Sequence, residues 1–476
     1  MPEPARFVEG PILRHVVVMA ATGSVGLMAV FLVDFLSLLY VSWLGDPRLT
    51  AAVGFATIVQ VFAVSITIGT MIAVGALVSR ALGQGDVAGA RRIAASSLVI
   101  SGLAGGLSVV VLLAGLDPLL ALIGSGPESA PAAARFLWIA LPANVAMALG
   151  LGCSGVLRAV GDARRAMSVT LAGAAVTAVL DPLLIFGLGL GVEGAALAAA
   201  ASRLAFAAVG WHGAVSVHRM VARPTWAALR EDARPVLRIA LPAVLTNLAP
   251  PVANAFLAHV VARYGTAAVA GNAVIDRLVP VAFGGLFALS GAVGPILGQN
   301  WGAGRFDRMR RTLRDAALVT GLYMLVVWAA LALGRHAIAR LFHLEGAGAD
   351  LLAFFCLVGA AAWFFNGLLF VANAAFNNLD APLLSTGFNW GRTTLGTMPF
   401  AWAGAQLGGP EGAVAGVAFG SLIFGTAAFA AALRLIARLE RAAAGAQTGT
   451  PAADPAAGYA PSPVGHGEVR PALTGQ

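Results

Sequence analysis

The sequence predicts an all-α integral membrane protein, with twelve transmembrane helices arranged as two six-helix bundles. Three observations predict it: apolar residues come in long runs, charge gathers between those runs, and the second half of the chain repeats the first. Residues of the AVILMFWYC set make up 59% of the chain and charged residues only 11%; mean hydropathy is +0.85. A globular protein keeps roughly a quarter of its residues charged. A helix of about 20 apolar residues crosses a hydrocarbon core. Lipid admits only helices or closed barrels, because every backbone group must be paired internally. The runs here are too long and too unalternating for barrel strands.

Taken in order, the polar N-terminus MPEPARFVEG leads into the apolar run 16–44. That run exceeds a signal-peptide core, so it is expected to be the first span and not a cleaved leader. The runs 51–79, 93–116, 132–157, 166–187 and 192–215 complete a first bundle over residues 1–215. The stretch 216–235 is the one long polar break and reads as a cytoplasmic linker. A second bundle over 236–440 follows, with runs 236–261, 267–297, 312–334, 351–376, 383–405 and 411–437. The Ala/Pro/Gly-rich tail 441–476 lacks the apolar content to fold and is expected to be disordered.

The net charge of +8 comes from thirty basic residues, all of them Arg. They lie mostly in the short gaps between runs, which marks topology and not a nucleic-acid surface. With the N-terminus inside, the inner loops and flanks hold twenty-one arginines and the outer ones five. That excess predicts that both termini are cytoplasmic. The absence of Lys rules out a P-loop motor or a Schiff-base cofactor within the chain. Cys153 and Cys356 sit in separate runs as packing residues, and the histidines show no metal spacing. No nucleophile–base pair or HExxH is present, so no enzymatic activity and no cofactor are expected. The Arg, Ala and Gly content suggests a GC-rich bacterial gene, hence a multi-pass protein of the bacterial inner membrane.

Internal similarity sets the architecture. SRALGQGDVAGARR (79–92) aligns with GQNWGAGRFDRMRR (298–311) at a shift of 219 residues. The same shift brings the loop around Gly161 and Asp162 onto that around Asp380 and Ala381, and GVEGAAL (191–197) matches GPEGAVA (409–415) at 218. Three ordered matches at nearly one offset indicate a duplicated bundle. Six spans per copy make the repeats parallel, the arrangement in which one bundle rocks against the other around a central site.

The pieces LGDPRLTAAVGFA, ALVSRALGQGD, VLRAVGDARRAM, TAVLDPLLIFGLGLGVEGAAL and GPILGQNWGAGRFDR stand in order along the chain. Through them residues 12–440 resemble the multidrug and toxic compound extrusion (MATE) family. The resemblance implies a twelve-helix antiporter that exports small organic, often cationic, compounds using an inward proton or sodium gradient; the protein is expected to be a monomer. It also implies a cation site, with departures. The family's first-span acid, eight residues before the Gly of LG, falls here on Ser37, with Asp34 one turn earlier. The family's Asn–Asp pair of span 5 appears as Thr177 and Asp181, and span 1 lacks a proline.

The residues independently single out the same places. An ionised group in hydrocarbon costs at least about 2.5–3.5 kcal/mol, so intramembrane charges are functional candidates. They are Asp34, Asp181, Arg203, Asp276, Arg277 and Arg392. Asp34 with Ser37 and Thr177 with Asp181 each share a helix face, and together they form the expected proton or Na+ site. Asn272 and Asp276 share a face of span 8; with Asn247 and Asn366 they are the expected substrate contacts. An Asp276–Arg277 or Asp276–Arg392 pair would instead be structural. The roles of Arg203, Arg277 and Arg392 stay open, and they keep a lipid-linked saccharide flippase of the same superfamily as the alternative.

Overall fold

A computed structural model describes residues 5–448. Eleven continuous helices long and apolar enough to span a membrane make it up: α1 (Ile12–Ser42), α2 (Pro47–Gly83), α3 (Val87–Ala114), α4 (Ala130–Ala159), α5 (Ala163–Gly187), α6 (Gly191–Val217), α7 (Trp226–Ala262), α8 (Thr266–Gly302), α9 (Phe306–Leu341), α10 (Ala347–Asn378) and α11 (Pro382–Gly445). The last makes two passes. Its backbone leaves the helix at Gly408 (φ −144°) and at Gly409 (φ 62°), and only glycine takes such a positive φ cheaply. Beyond the break Gly412, Gly416 and Gly420 oppose Gly404, Phe400 and Gly396 in reversed order, each where a Cβ would strike the facing carbonyl. Small residues every fourth position let two membrane helices close to backbone contact. The count is therefore twelve spans.

Local chemistry fixes the helix starts. Asp46, Asp86 and Asp162 accept the backbone N–H of Arg48, Gly89 and Arg165 (2.9, 2.7 and 3.0 Å), and Thr225 that of Ala228 (3.3 Å). These are N-caps, each satisfying a donor that the first turn leaves free. Thr225 also corrects the linker: only 218–225 is non-helical, and 226–235 belongs to α7. The chain is likewise helical through 441–448, which were expected to be disordered; 449–476 lie outside the described residues.

Both described ends of the chain lie on one face. Arg6 donates to the Gly161 carbonyl (3.0 Å), the Phe7 N–H donates to Gln299 Oε1 (2.8 Å), and Arg310 pairs with Glu440 (3.1 Å). On this terminal face the bundles are sealed together. One apolar cluster joins Ile12, Val16 and Met19 of α1 to Leu289–Leu297 of α8 and to residues of α9, α10 and α11. Another joins Ala73 and Ala76 of α2 to Val236 and Ile239 of α7. Gly83 meets the backbone of Gln299 while Gly302 meets that of Arg80, and the Arg80 guanidinium lies 3.8 Å over the Trp301 ring.

Towards the opposite face the core divides. One cluster belongs to the first bundle alone (Val41, Ala52, Val59, Leu137, Ile185, Val192) and one to the second alone (Val261, Val274, Phe283, Met324, Leu351). The α1–α8 seam runs from Gly23 against Ala288 to Phe31 against Phe287 (ring centroids 6.4 Å). The bundles thus meet at one end and part at the other.

Candidate functional site

The seam along α1 ends three residues before Asp34, which lies about 16 Å back from Gly45 at 1.5 Å per residue. Asp34 is nonetheless exposed. Ser37, one turn on, is half-buried, and its hydroxyl donates to Asp181 Oδ2 of α5. Asp181 is only 1% exposed, and its second oxygen is buried with no hydrogen-bond partner. This carboxylate ties two helices of one bundle together and still has an oxygen free to take a proton or a cation.

The helix carrying it is adapted at that point. Pro182 follows within α5 without ending it, and the next turn widens to a π-helix over Leu183–Gly187. Such turns recur at functional sites because the extra residue re-aims its neighbours. Thr177 is buried one turn earlier, but its hydroxyl donates to the Gly173 carbonyl of its own helix (3.2 Å). It does not reach Asp181.

Arg203 of α6 is also buried, 8% exposed. Its two terminal nitrogens donate to the Ala140 carbonyl of α4 and to Gln60 Oε1 of α2. Asp34 lies close enough for the two opposite charges to act on each other, and Asp181 acts on Asp34 as a like charge. Gln60 was not foreseen from the sequence. The available signal was a lone amide in the middle of the apolar run 51–79.

The second bundle is built differently. Asn272 donates to Asp276 Oδ2 (3.2 Å) within α8, and Asp276 itself is exposed. No ion pair within 4 Å joins Asp276 to Arg277 or Arg392 among the described residues, but the neighbouring Arg277 charge acts on Asp276. Asn247 donates to its own helix at Ala243 (2.8 Å), and Asn366 is buried on α10. Near the base of the parting an aromatic group gathers, also unforeseen. Phe287 lies beside Phe31, Trp363 and Phe370 (ring centroids 6.4, 6.1 and 5.2 Å), and Trp363 stacks on Phe283 at 4.4 Å. Its members are scattered over three helices, so no sequence spacing announces it.

The comparisons with known proteins agree with this architecture. The MatE family model matches residues 24–183 and 242–403, one segment in each bundle. A FAD transporter of Shewanella oneidensis is 29% identical over 442 residues, covering 89% of this chain and 95% of its own. The multidrug export protein MepA of Staphylococcus aureus is 26% identical over 378 residues, 77% and 81% of the two chains. Among solved structures, the Vibrio cholerae MATE transporter VcmN in its bent form superposes with a TM-score of 0.84 at 24% identity, over 90% and 98% of the chains. A transporter from Pyrococcus furiosus gives 0.86 at 22%, over 92% and 99%. With a family match in both bundles, and twelve spans in two repeats, the chain belongs to the MATE family of membrane transporters.

Proposed function

We propose that the protein exports small organic compounds by alternating access, coupled to inward movement of a cation at the Ser37–Asp181 junction. The carrying observation is a buried carboxylate that bridges α1 and α5 and keeps one oxygen unpartnered. Binding a proton there changes what the two helices share, and a ligand biases a two-state equilibrium only through such a difference. Asp34 completes the site as a neighbouring acid. Protons are favoured over sodium, because a proton needs one carboxylate oxygen whereas a small metal cation takes several hard oxygen ligands. The arginine excess on the terminal face makes that face cytoplasmic, so the described state opens outward.

The parting between the bundles is the substrate path. The aromatic group at its base offers ring faces to planar apolar compounds, and such contacts add about 0.5–1.5 kcal/mol each beyond burial. Asp276, held by Asn272 and exposed, supplies the negative charge that a cationic substrate needs. The relatives named for multidrug export and for FAD transport support an organic substrate, and neither favours the lipid-linked saccharide reading.

In proteoliposomes an imposed proton gradient should drive counter-transport of ethidium. Asp181→Asn should reduce it to the protein-free level, with an unchanged gel-filtration profile. Transport persisting in that variant removes Asp181 from the mechanism; transport that answers only to sodium removes the proton.

A further inference from the structure

The described chain ahead of α1 is not helical, yet side chains of α8 and α9 hold its backbone. Gly10 takes a left-handed conformation (φ 72°) and Pro11 an extended one (φ −72°, ψ 122°), and the Val8 N–H closes a turn on the Ala5 carbonyl (3.1 Å). Outside a helix, the carbonyls of Phe7, Glu9 and Gly10 need partners from elsewhere. All three face one guanidinium. Arg308 Nη2 of α9 donates to Phe7 O, Glu9 O and Gly10 O at 2.9, 3.2 and 3.1 Å. Asn300 of α8 donates to Phe7 O as well (3.1 Å), and Arg308 Nε donates to Asn300 Oδ1 (3.0 Å), which fixes the two against each other.

The same segment also grips the first bundle. Arg6 donates to the Gly161 carbonyl (3.0 Å), and the Phe7 ring lies 3.2 Å from where a Cβ on Gly161 would stand. Gln299 joins the two sides through one buried amide. Its Oε1 accepts the Phe7 N–H (2.8 Å), while its Nε2 donates to the Ala159 carbonyl at the end of α4 (2.7 Å). Phe7 is 1% exposed and belongs to the apolar cluster that joins α1 to α8, α9, α10 and α11. Residues before a first helix are ordinarily poorly ordered unless tied down. Here they are tied to both bundles at once.

We infer that residues 5–10 are a strap that locks the bundles together on the terminal face, and that opening on this face must break it. The inference rests on the alternating-access reading. Bonds to Gly161 and to Arg308 span bundles that move apart, so they cannot all survive the opening. The strap is whole in one state and broken in the other. Weakening it therefore shifts the balance between states without touching the transported ion or the substrate.

The test is the distance between paired spin labels in protein whose two cysteines are replaced by alanine. Ala88→Cys with Leu383→Cys reads the terminal face, and Leu122→Cys with Leu407→Cys reads the opposite one; all four positions are exposed. Wild type is measured with and without ethidium, at acid and at neutral pH. Arg308→Ala and Phe7→Ala should raise the ratio of terminal-open to terminal-closed protein roughly tenfold or more. The terminal distance should lengthen and the opposite one shorten in the same population. Arg6→Ala changes an exposed side chain; it should move both distances the same way by less, and it carries the test if the other variants do not accumulate. Lengthening on the terminal face alone would mean loosened packing, and overturns the strap. So would variants that match wild type while ethidium or pH still moves the wild-type distances. If neither condition nor substitution moves either distance, the alternating-access reading falls and the strap with it.

Discussion

The two bundles descend from one pattern and spend their buried polar groups in opposite ways. In the first, a carboxylate and a guanidinium cross between helices: Ser37 to Asp181, and Arg203 to Gln60 and Ala140. At the repeat shift of 218–219 residues the second bundle has Ala255 or Phe256 for Ser37, Pro399 or Phe400 for Asp181, Leu278 or Val279 for Gln60 and Ser421 for Arg203. Its own interior is held by neutral amides. Asn373 Oδ1 accepts from both Ser385 and Asn389 at 2.9 Å, and neither bond involves a charge. Neutral hydrogen bonds hold a bundle together at any pH, whereas a carboxylate changes its bonding with its proton. The asymmetry is that of one bundle with neutral interhelical bonds and one whose interhelical bonds include a carboxylate and a guanidinium.

The sharpest way to break this comparison is Ser37→Ala. It removes the donor to Asp181, and losing a hydrogen bond to a buried charged group costs about 1.5–3 kcal/mol. Gradient-driven transport in proteoliposomes should fall roughly ten- to a hundredfold, with substrate binding retained. Transport at the wild-type rate would strip the difference between bundles of its functional meaning. Asn373→Ala should act on the other side of the comparison. It leaves two buried donors unpaired, and interhelical bonds in membranes average about 0.6 kcal/mol each. A loss of about 1–2 kcal/mol in denaturant melts is expected, with coupling stoichiometry unchanged. An altered stoichiometry would show that the second bundle also carries the ion step.

The smallest effect separates the two repeated loops at Gly161–Asp162 and Asp380–Ala381. Asp162 lies partly buried, which alone would raise its pKa; hydrogen bonds from the Arg165 backbone, His218 and the Arg165 side chain outweigh that and hold it below the usual 3.8. A depressed carboxyl contributes stability above its unfolded pKa and loses it as pH falls through the folded value. Asp162→Asn keeps an N-cap acceptor and loses only the charge that Arg165 and His218 pair with, so it should cost no more than about 1 kcal/mol at pH 7, and the gap from wild type should close below about pH 4. The corresponding loop of the second bundle uses Asp380 in the left-handed region (φ 61°), where the first has Gly161 (φ 87°). Its contact to Arg238 at 3.3 Å is a half-exposed pair, of a kind that contributes little.

The fold was legible because the bilayer imposes it: run length, arginine placement and the repeated loops each follow from crossing hydrocarbon twelve times. The site was legible in part. Asp34, Ser37 and Asp181 announced themselves as polar groups in apolar runs, and the structure brings them together. Thr177 shows what spacing leaves open: shared helical spacing says which face a side chain occupies and not which partner its hydroxyl chooses, here the Gly173 carbonyl. Gln60 and the aromatic group were invisible for a related reason. Their meaning comes from residues on other helices, and no linear pattern encodes which face of α2 meets α6, or which of α1 meets α8. The helix count was legible too, since the backbone break at Gly408 and Gly409 falls between the runs 383–405 and 411–437.

The crossing of Gly83 and Gly302 on the terminal face has one more consequence. Gly83 faces the backbone of Gln299, and Gly302 faces that of Arg80; each residue maps onto its counterpart at the shift of 219. The two glycines are the two halves of one isologous contact on the pseudo-twofold axis, so they are not independent variables. In a thermodynamic cycle the first methyl placed on either side forces the backbones apart, and the second then enters space already opened. The double substitution should cost clearly less than the sum of the singles, the signature of residues that share a single gap. A duplicated gene thus gives this seal a built-in redundancy of address: mutation can strike it at two places in the sequence, but there is only one place in the molecule where it breaks.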